Sequence, residues 1–360
     1  MNFEFSAEQR ELQNQINRHF SEAFPIERIM QVMDCDQAER KAIWQEFTAM
    51  GYQGMTIAEA YGGVGASYYE LCLMAQEIGR FALPVPMLSS LYLATEAITL
   101  YGSEQQRHTY LPQLASGDIS ACFVGTNGSE LRCANGLISG RHLPVADADL
   151  AQIAIVLATN EAGEAHYYVV DITQQAVTQK TVEVIDGAWP HSELRLTDAK
   201  AELLPGNGRN MREVIDRAAV LLAFEQIGGA QQCLDMAKTY ALERQAFGRA
   251  IGSYQALKHK MVDIYVANEM ALSHAYFAAW ALANNAPELP KAAAAVRLAA
   301  SKAFDEASAE NIQIHGGVGF TWEYPCHIYL KRARQQALVL GSRRQWTKQL
   351  VSHIRAESEV

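Results

Sequence analysis

The chain has 360 residues and a formal net charge of −10. This length allows two or three domains with a substantial core, and the acidity argues against binding to nucleic acid or an anionic membrane, which needs clustered Lys and Arg. Six cysteines lie far apart without a CxxC pair, so we expect buried or free thiols in place of a zinc site or a disulfide framework. The N-terminal residues lack the charged and apolar regions of a signal peptide, and no apolar run approaches the roughly 18 residues of a membrane span, which predicts a soluble, cytoplasmic protein.

The first part of the chain, residues 1–117, has the pattern of a helical domain. Ser6 and Gln9 have the spacing of a capping box, and Leu12, Ile16 and Phe20 follow at helical intervals. Further helices are predicted at Ala42–Met50, Tyr68–Arg80, Pro86–Tyr101 and Ser103–Gly117.

A glycine-rich segment, Gly51–Ser67, interrupts these helices. It lacks the GxGxxG spacing after a strand and the Lys-Ser/Thr pair that phosphate-binding loops need. We therefore interpret it as a packed connector near a ligand opening.

The middle part, residues 118–205, has the pattern of an inserted β domain. Short runs rich in β-branched and aromatic residues are separated by turn signals. The predicted strands are Ile119–Val124, Ala151–Thr159, His166–Ile172, Val182–Ile185 and Leu194–Thr197.

The last part, residues 206–360, predicts an antiparallel four-helix bundle, because four long helical patterns follow each other with short links. They cover Val214–Arg244, Ala256–Asn284, Leu289–His315 and Pro325–Ile354. A di-iron site needs Glu-x-x-His pairs, which the chain does not contain, and we interpret His315 and His327 as packing or capping residues.

The first two bundle helices are joined by Tyr240–Gln255, YALERQAFGRAIGSYQ, which we call the arm. It carries one cation (Arg244), one aromatic side chain (Phe247) and one amide (Gln255). These groups suit a diphosphate, a flat ring and a ribose, although any helix hairpin can carry an Arg and a Phe at its tip.

A second glycine-rich motif, QIHGGVGF, ends the third bundle helix at Gln313–Phe320. Its glycines allow a close approach of the backbone to a diphosphate, and Gln313 offers an amide. With ERQAFGRAIGSYQ and the order helical domain, β domain and bundle, the sequence resembles the acyl-CoA dehydrogenase family over almost its whole length.

This resemblance implies an FAD cofactor shared at a subunit interface, with the bundle of one subunit reaching the adenosine diphosphate half of its neighbour's flavin. Arg244 would then pair with the diphosphate, and Phe247 would pack near the adenine. Hydrogen bonds to the same half would come from residues of the arm and of the glycine motif, namely Gln255, Gln313, Gly316 and Gly317. Ala246 departs from the Thr or Gln of many members.

The chain departs further from the family where a subunit holds its own flavin ring and acyl chain. The segment Phe123–Glu130 lacks the Glu-Pro of the family's TEPxxGSD-like stretch. Gly140–Asp147 has neither the Trp nor the hydroxyl that pack against the ring in relatives. The resemblance therefore implies a weakened ring pocket.

The two family positions for the catalytic carboxylate hold Leu340 and Ala218. Neither side chain can take the α-proton of a thioester. Glu225 lies seven residues after Ala218, about 10 Å further along the same helix face, and is a candidate substitute base with a structural role as its alternative.

The chain keeps the family residues of the arm and the glycine motif but lacks those of the ring pocket and of the catalytic base. This combination resembles the non-catalytic subunit of a heterotetrameric, steroid side-chain type acyl-CoA dehydrogenase, which lends its arm to a partner's FAD. The implied partners are an acyl-CoA substrate, a second acyl-CoA dehydrogenase subunit and an electron-transfer flavoprotein as acceptor. Two alternatives are a self-sufficient homo-oligomer that uses Glu225 and a non-enzymatic scaffold subunit with the same fold.

Overall fold

The computed structural model describes residues 3–33, 37–125, 130–205 and 211–358. The chain divides into two compact units. The bundle unit contains Met1–Met33, Tyr68–Leu83 and Ala219–Val360, and the β unit contains Asp34–Ser67 and Pro84–Ala218. A helical N-terminal region, a β region and a C-terminal helical region follow each other, so the predicted fold class is confirmed. The division at residues 117 and 205 into three domains stays a prediction.

The bundle unit consists mainly of helices. They are α1 (Ala7–Ala23), α2 (Ile26–Met33), α4 (Tyr68–Arg80), the part of α7 (Arg212–Glu243) from Ala219, α8 (Gln255–Ala283), α9 (Leu289–His315), α10 (Cys326–Gln336) and α11 (Arg343–Ser358). The predicted capping box is confirmed, because the Ser6 hydroxyl accepts from the Gln9 backbone N–H while the Gln9 side chain accepts from the Ser6 N–H.

The last bundle helix was wrongly predicted as one element over Pro325–Ile354. The chain instead ends α10 at Gln336 and begins α11 at Arg343. Leu340 and Gly341 lie between them with φ angles of +60° and +103°, which a right-handed helix cannot accommodate. The break therefore arises from a turn that apolar periodicity does not reveal.

The β unit combines helices with a seven-stranded sheet. Its helices are α3 (Gln37–Ala49), a π-helical segment (Met87–Thr95), α5 (Glu96–Tyr101) and α6 (Glu104–Ser116). Its strands are β1 (Ala121–Val124), β2 (Arg132–Ala134), β3 (Leu137–Ala146), β4 (Ile153–Thr159), β5 (Ala165–Asp171), β6 (Val177–Val182) and β7 (His191–Leu203). The glycine-rich connector contains two short 3₁₀ turns, Tyr52–Gly54 and Glu59–Tyr61.

The central strands of the sheet are mainly antiparallel. The longest pairing joins β3 and β7 and contains two register shifts, while β1 pairs in parallel with β4. Buried side chains such as Val145, Val156 and Leu194 form the core of the sheet. Three predicted strands overlap β1, β4 and β5, and Leu194–Thr197 lies inside β7.

The predicted strand Val182–Ile185 is wrong except for Val182, which ends β6. The strand β2 was not predicted because it has only three residues, and β3 was not predicted because its exposed and buried residues do not alternate regularly across its two register shifts against β7. Five cysteines are buried free thiols as expected, and Cys35 lies outside the described residues.

Candidate functional site: the arm and the glycine turn

The arm folds as a small hairpin between α7 and α8. The strands β8 (Gln245–Ala246) and β9 (Arg249–Ala250) pair in antiparallel fashion through a two-residue loop of Phe247 and Gly248. Both loop residues have positive φ angles, +52° and +77°, the pattern of a type I′ turn. The predicted break after Arg244 is therefore a tight hairpin.

Side chains within the hairpin fix its shape. The Arg249 guanidinium lies 4.1 Å from the ring centroid of Tyr254, a cation–π distance. The Tyr254 hydroxyl donates to the Ala246 carbonyl at 3.1 Å. The Ile251 N–H donates to the Arg244 carbonyl at 2.8 Å, which closes the base of the hairpin. No role was predicted for Tyr254.

The predicted ligand-binding side chains of the arm point to solvent. Phe247 is 98% exposed, and Arg244 and Gln255 are also exposed. Within the described part of the chain, the Arg244 side chain has no ion-pair partner. The arm thus presents an uncompensated cation and a bare aromatic ring.

The glycine turn, Gly316–Phe320, is a short 3₁₀ segment directly after α9. Gly316 has a φ of +64°, and a Cβ placed on Gly317 would meet no atom within 4 Å. Gly317 and Gln313 are exposed. The backbone at Gly317 is therefore open to close approach by a ligand.

The structure joins these two motifs through aromatic rings near the ends of α7 and α9. Tyr240 stacks on His315 with ring centroids 4.3 Å apart and an interplanar angle of 24°. Tyr324 meets both rings, at 5.9 Å from Tyr240 and 5.6 Å from His315. Arg244 lies one helical turn after Tyr240 in the chain, and Gly316 directly follows His315. The arm and the glycine turn therefore lie at the same end of the bundle unit.

The positions considered for a catalytic base are buried. Ala218 is inaccessible within α7, and Leu340 is 6% exposed in the turn after α10. The Leu340 carbonyl accepts from the Trp346 indole at 3.0 Å. The Arg297 guanidinium donates to the carbonyls of Gln336 and Val339 in the same turn. Burial lowers the pKa of Arg297 to about 10.

Glu225 is also buried, on the part of α7 that belongs to the bundle unit. Its carboxylate accepts from the Gln336 side chain at 3.0 Å. This contact ties α7 to α10, as expected for a structural carboxylate.

The β unit contains a buried polar cluster that sequence reasoning missed. Arg40 is inaccessible and pairs with both Asp147 and Asp149. Asp147 also accepts from the Ser89 hydroxyl at 2.5 Å and from the Trp189 indole at 3.1 Å. These partners are 58 and 42 residues away from Asp147 along the chain, so no local motif reveals them.

The segments expected to differ from the family lie partly in this region. Gly140–Asp147 covers most of β3 and ends at the buried Asp147. Of Phe123–Glu130, residues 126–129 lie outside the described part of the chain.

No helix among the described residues is both long and apolar enough to cross a bilayer. In the same part of the chain, no three His, Cys, Asp or Glu side chains come together as a group that could hold a metal ion.

Comparison with known proteins identifies the family. Residues 6–118 match the acyl-CoA dehydrogenase N-terminal domain and residues 206–350 match the acyl-CoA dehydrogenase C-terminal domain. Acyl-CoA dehydrogenase IpdE2 of Mycobacterium tuberculosis is 32% identical over 325 residues, which cover 89% of each chain. The chain therefore belongs to the acyl-CoA dehydrogenase family.

Two solved structures have a similar fold. The Tcur3481-Tcur3483 steroid ACAD is 25% identical with a TM-score of 0.87, and the match covers 98% of this chain and 99% of that one. An acyl-CoA dehydrogenase of Bacillus anthracis in complex with FAD is 19% identical with a TM-score of 0.91, and the match covers 99% of this chain and 68% of that one. The second likeness concerns the fold alone.

Proposed function

We propose that this chain is the non-catalytic subunit of an α2β2 flavin-dependent acyl-CoA dehydrogenase. Its arm and glycine turn bind the adenosine diphosphate half of an FAD that is held mainly by a partner subunit. When bound, FAD supplies the acceptor for the hydride that leaves the β-carbon of the acyl thioester. The partner supplies the carboxylate that removes the α-proton.

The observation that carries this proposal is the conformation of Phe247. A non-glycine residue at positive φ costs roughly 1–2 kcal/mol, and an exposed ring gains nothing from burial to offset it. Type I′ turns favour Asn or Gly at this position, yet the chain has a Phe that is 98% exposed. Local strain without a benefit to folding is typical of functional positions. We infer that Phe247 packs against a ring that another molecule provides.

The neighbouring groups fit a diphosphate. Arg244 is exposed and has no ion-pair partner within the described residues, so its charge is available to an anion. The space beside Gly317 allows a phosphate to approach the backbone. Gln255, Gln313 and Gly316 would complete the polar contacts to the same half of the cofactor.

The three positions considered for a catalytic base support the partner-dependent role. Ala218 and Leu340 carry no group that accepts a proton, and both are buried. Glu225, the substitute considered for a self-sufficient enzyme, is buried and already accepts from Gln336. We therefore propose that the catalytic carboxylate belongs to the partner.

The resemblance and one similar protein support a proposal for the substrate class. The similar Tcur3481-Tcur3483 protein is a steroid ACAD. We propose a bulky acyl-CoA, such as a steroid side-chain thioester, as the substrate. An electron-transfer flavoprotein is the proposed electron acceptor.

The test is to purify the chain alone and together with a second acyl-CoA dehydrogenase subunit encoded beside it. Flavin absorbance and dehydrogenation of acyl-CoA with an artificial electron acceptor are then measured for both preparations. We expect a colourless, inactive single chain and a yellow, active pair. Stoichiometric flavin and turnover by the single chain would refute the proposal. A pair that assembles without flavin would favour the scaffold alternative.

Two variants of the active pair sharpen the test. Arg244→Ala removes a charged hydrogen bond worth roughly 1.5–3 kcal/mol, so FAD should bind roughly tenfold to a hundredfold more weakly. Lys238→Ala, which removes the same charge from the exposed side of α7, serves as the matched control and should bind FAD normally. Glu225→Gln should leave turnover intact, whereas a large loss of turnover with FAD still bound would favour Glu225 as the base.

A further inference from the structure

The aromatic contact between α7 and α9 has a geometry that fixes both ligand-binding motifs. The Tyr240 and His315 rings are nearly parallel at 4.3 Å, and Tyr324 packs its ring at 84° to Tyr240 and 60° to His315. Offset-stacked and edge-to-face arrangements of this kind are the favourable geometries for aromatic pairs. We call these three residues the aromatic clamp.

His315 is held in one orientation within the clamp. The side chain is 5% exposed, and its Nδ1 lies 2.8 Å from the Asn311 carbonyl oxygen. A carbonyl oxygen can only accept, so Nδ1 carries the proton and donates it. Burial lowers the pKa of His315, which favours the neutral ring.

The clamp is connected to the arm through the backbone of α7. The Arg244 N–H donates to the Tyr240 carbonyl at 2.8 Å, so the backbone of Arg244 rests on the residue whose ring is stacked. A Cβ on Gly252 would lie 2.9 Å from the Ala241 carbonyl oxygen, which shows how closely the 3₁₀ turn after β9 passes the end of α7. Movement of Tyr240 would therefore displace Arg244.

The clamp is connected equally directly to the glycine turn. Gly316 follows His315 and leaves the helix with a φ of +64°. A Cβ on Gly319 would lie 3.0 Å from the His315 Cβ and 2.8 Å from the Ile312 carbonyl oxygen. The glycine turn therefore folds back over the helix end that carries the clamped ring.

We propose that Tyr240, His315 and Tyr324 are positioning residues that hold the cation of the arm and the open backbone of the glycine turn at a fixed separation for one diphosphate. This inference rests on the proposed function and assigns to these three rings the task of holding the site in its binding conformation before FAD binds. A preorganised site spends less free energy on ordering its side chains when the ligand binds. The clamp acts through stacked rings, so the ring of Tyr240 matters and its hydroxyl group does not.

The experiment uses the two-subunit complex after removal of its flavin, and FAD rebinding is followed by flavin fluorescence. Tyr240→Leu removes a ring from the clamp, and we expect it to weaken FAD binding about tenfold. Tyr240→Phe keeps the ring and should restore normal binding. If Tyr240→Leu does not fold, His315→Gln removes the other stacked ring while keeping a donor for the Asn311 carbonyl, and the same loss of affinity is expected.

A matched control separates positioning from a general loss of packing. Phe277→Leu removes a ring from a different stacked pair of the same unit, in which Phe277 lies 5.7 Å from Trp280. It should leave FAD binding unchanged. The positioning role would be refuted if the Tyr240→Leu and His315→Gln variants bound FAD like the wild-type complex. It would also be refuted if Phe277→Leu lost as much affinity as they do. If Arg244→Ala also binds FAD normally, the proposed function itself fails, so the two failures are distinguishable.

Discussion

The contact between α4 and α7 provides the most quantitative prediction, because two glycines allow the helix backbones to touch. A Cβ placed on Gly228 of α7 would lie 1.8 Å from the Gln76 carbonyl oxygen of α4. A Cβ placed on Gly79 of α4 would lie 1.8 Å from the Glu225 carbonyl oxygen of α7. Real Cβ atoms essentially never come within 3.0 Å of another heavy atom, so Gly228→Ala requires a shift of about 1.2 Å.

The cost of this shift exceeds the gain in helix propensity. Alanine is favoured over glycine inside a helix by roughly 0.5–1 kcal/mol. The obstacle is helix backbone, which cannot rotate away as a side chain can. Opening a gap of this size also loses a quarter to a half of each dispersion contact across the interface. The cost of overpacking, about 1–3 kcal/mol, adds to these lost contacts, and the gain in helix propensity offsets only part of the sum. We expect a net destabilisation of roughly 2–4 kcal/mol.

The assay is thermal or urea unfolding of the purified chain, with Gly317→Ala as control because a Cβ there meets nothing within 4 Å. We expect Gly228→Ala to lower the Tm by roughly 5–15 °C, at about 2–4 °C per kcal/mol for a unit of this size. The double variant Gly79→Ala/Gly228→Ala should cost less than the sum of the single changes, because one separation of the helices relieves both clashes. A Gly228→Ala protein as stable as the wild type would refute the close backbone contact.

Three further predictions concern the arm and the β unit. Phe247→Asn places a residue that favours positive φ in the hairpin loop. The free energy of unfolding should stay equal or rise by up to about 1 kcal/mol, while FAD binding by the two-subunit complex weakens. A lower Tm in a melting experiment would contradict the strain argument. Asp147→Ala leaves the buried Arg40 guanidinium without one of its two carboxylate partners and should destabilise the protein by about 3–5 kcal/mol in a urea titration. The control Asp118→Ala removes an exposed carboxylate and should change stability by about 0.5 kcal/mol or less. Burial lowers the pKa of His191 in the folded protein below its value near 6.5 in the unfolded chain. The unfolded chain therefore binds a proton more readily, and the free energy of unfolding falls as the pH drops below about 6.5, by at most about 1.4 kcal/mol per pH unit. His191→Gln should lose less stability than the wild type between about pH 7.5 and pH 5.5, and an equal loss would show that this histidine does not contribute.

Local sequence patterns determined the parts of the protein that depend on neighbouring residues. Ser6 and Gln9 form their capping box within one helical turn, so their spacing alone predicts the start of α1. The helix α9 was predicted with its observed bounds, Leu289–His315, because its apolar positions repeat at helical spacing and glycine follows its last turn. The exposed arm was also visible in the sequence, since Phe247-Gly248 interrupts the helical pattern.

The tertiary structure decided the features that rest on contacts between distant residues. The turn at Leu340 is held by Arg297 of α9, which lies 42 residues before Val339 in the chain and donates to the Val339 carbonyl. The buried Asp147 cluster likewise joins residues that no spacing rule connects. For these groups, burial and the pairing of charges are consequences of the fold.

The two ligand-binding motifs show the same division. The sequence supplied the arm and the glycine turn as separate patterns, since glycines and an exposed Arg are readable one by one. Their placement at one end of the bundle unit is visible only through the stacked rings of Tyr240 and His315, which lie 75 residues apart in the chain and 4.3 Å apart in space. Stacking needs a particular distance and angle between two rings, and only the packing of α7 against α9 can set them.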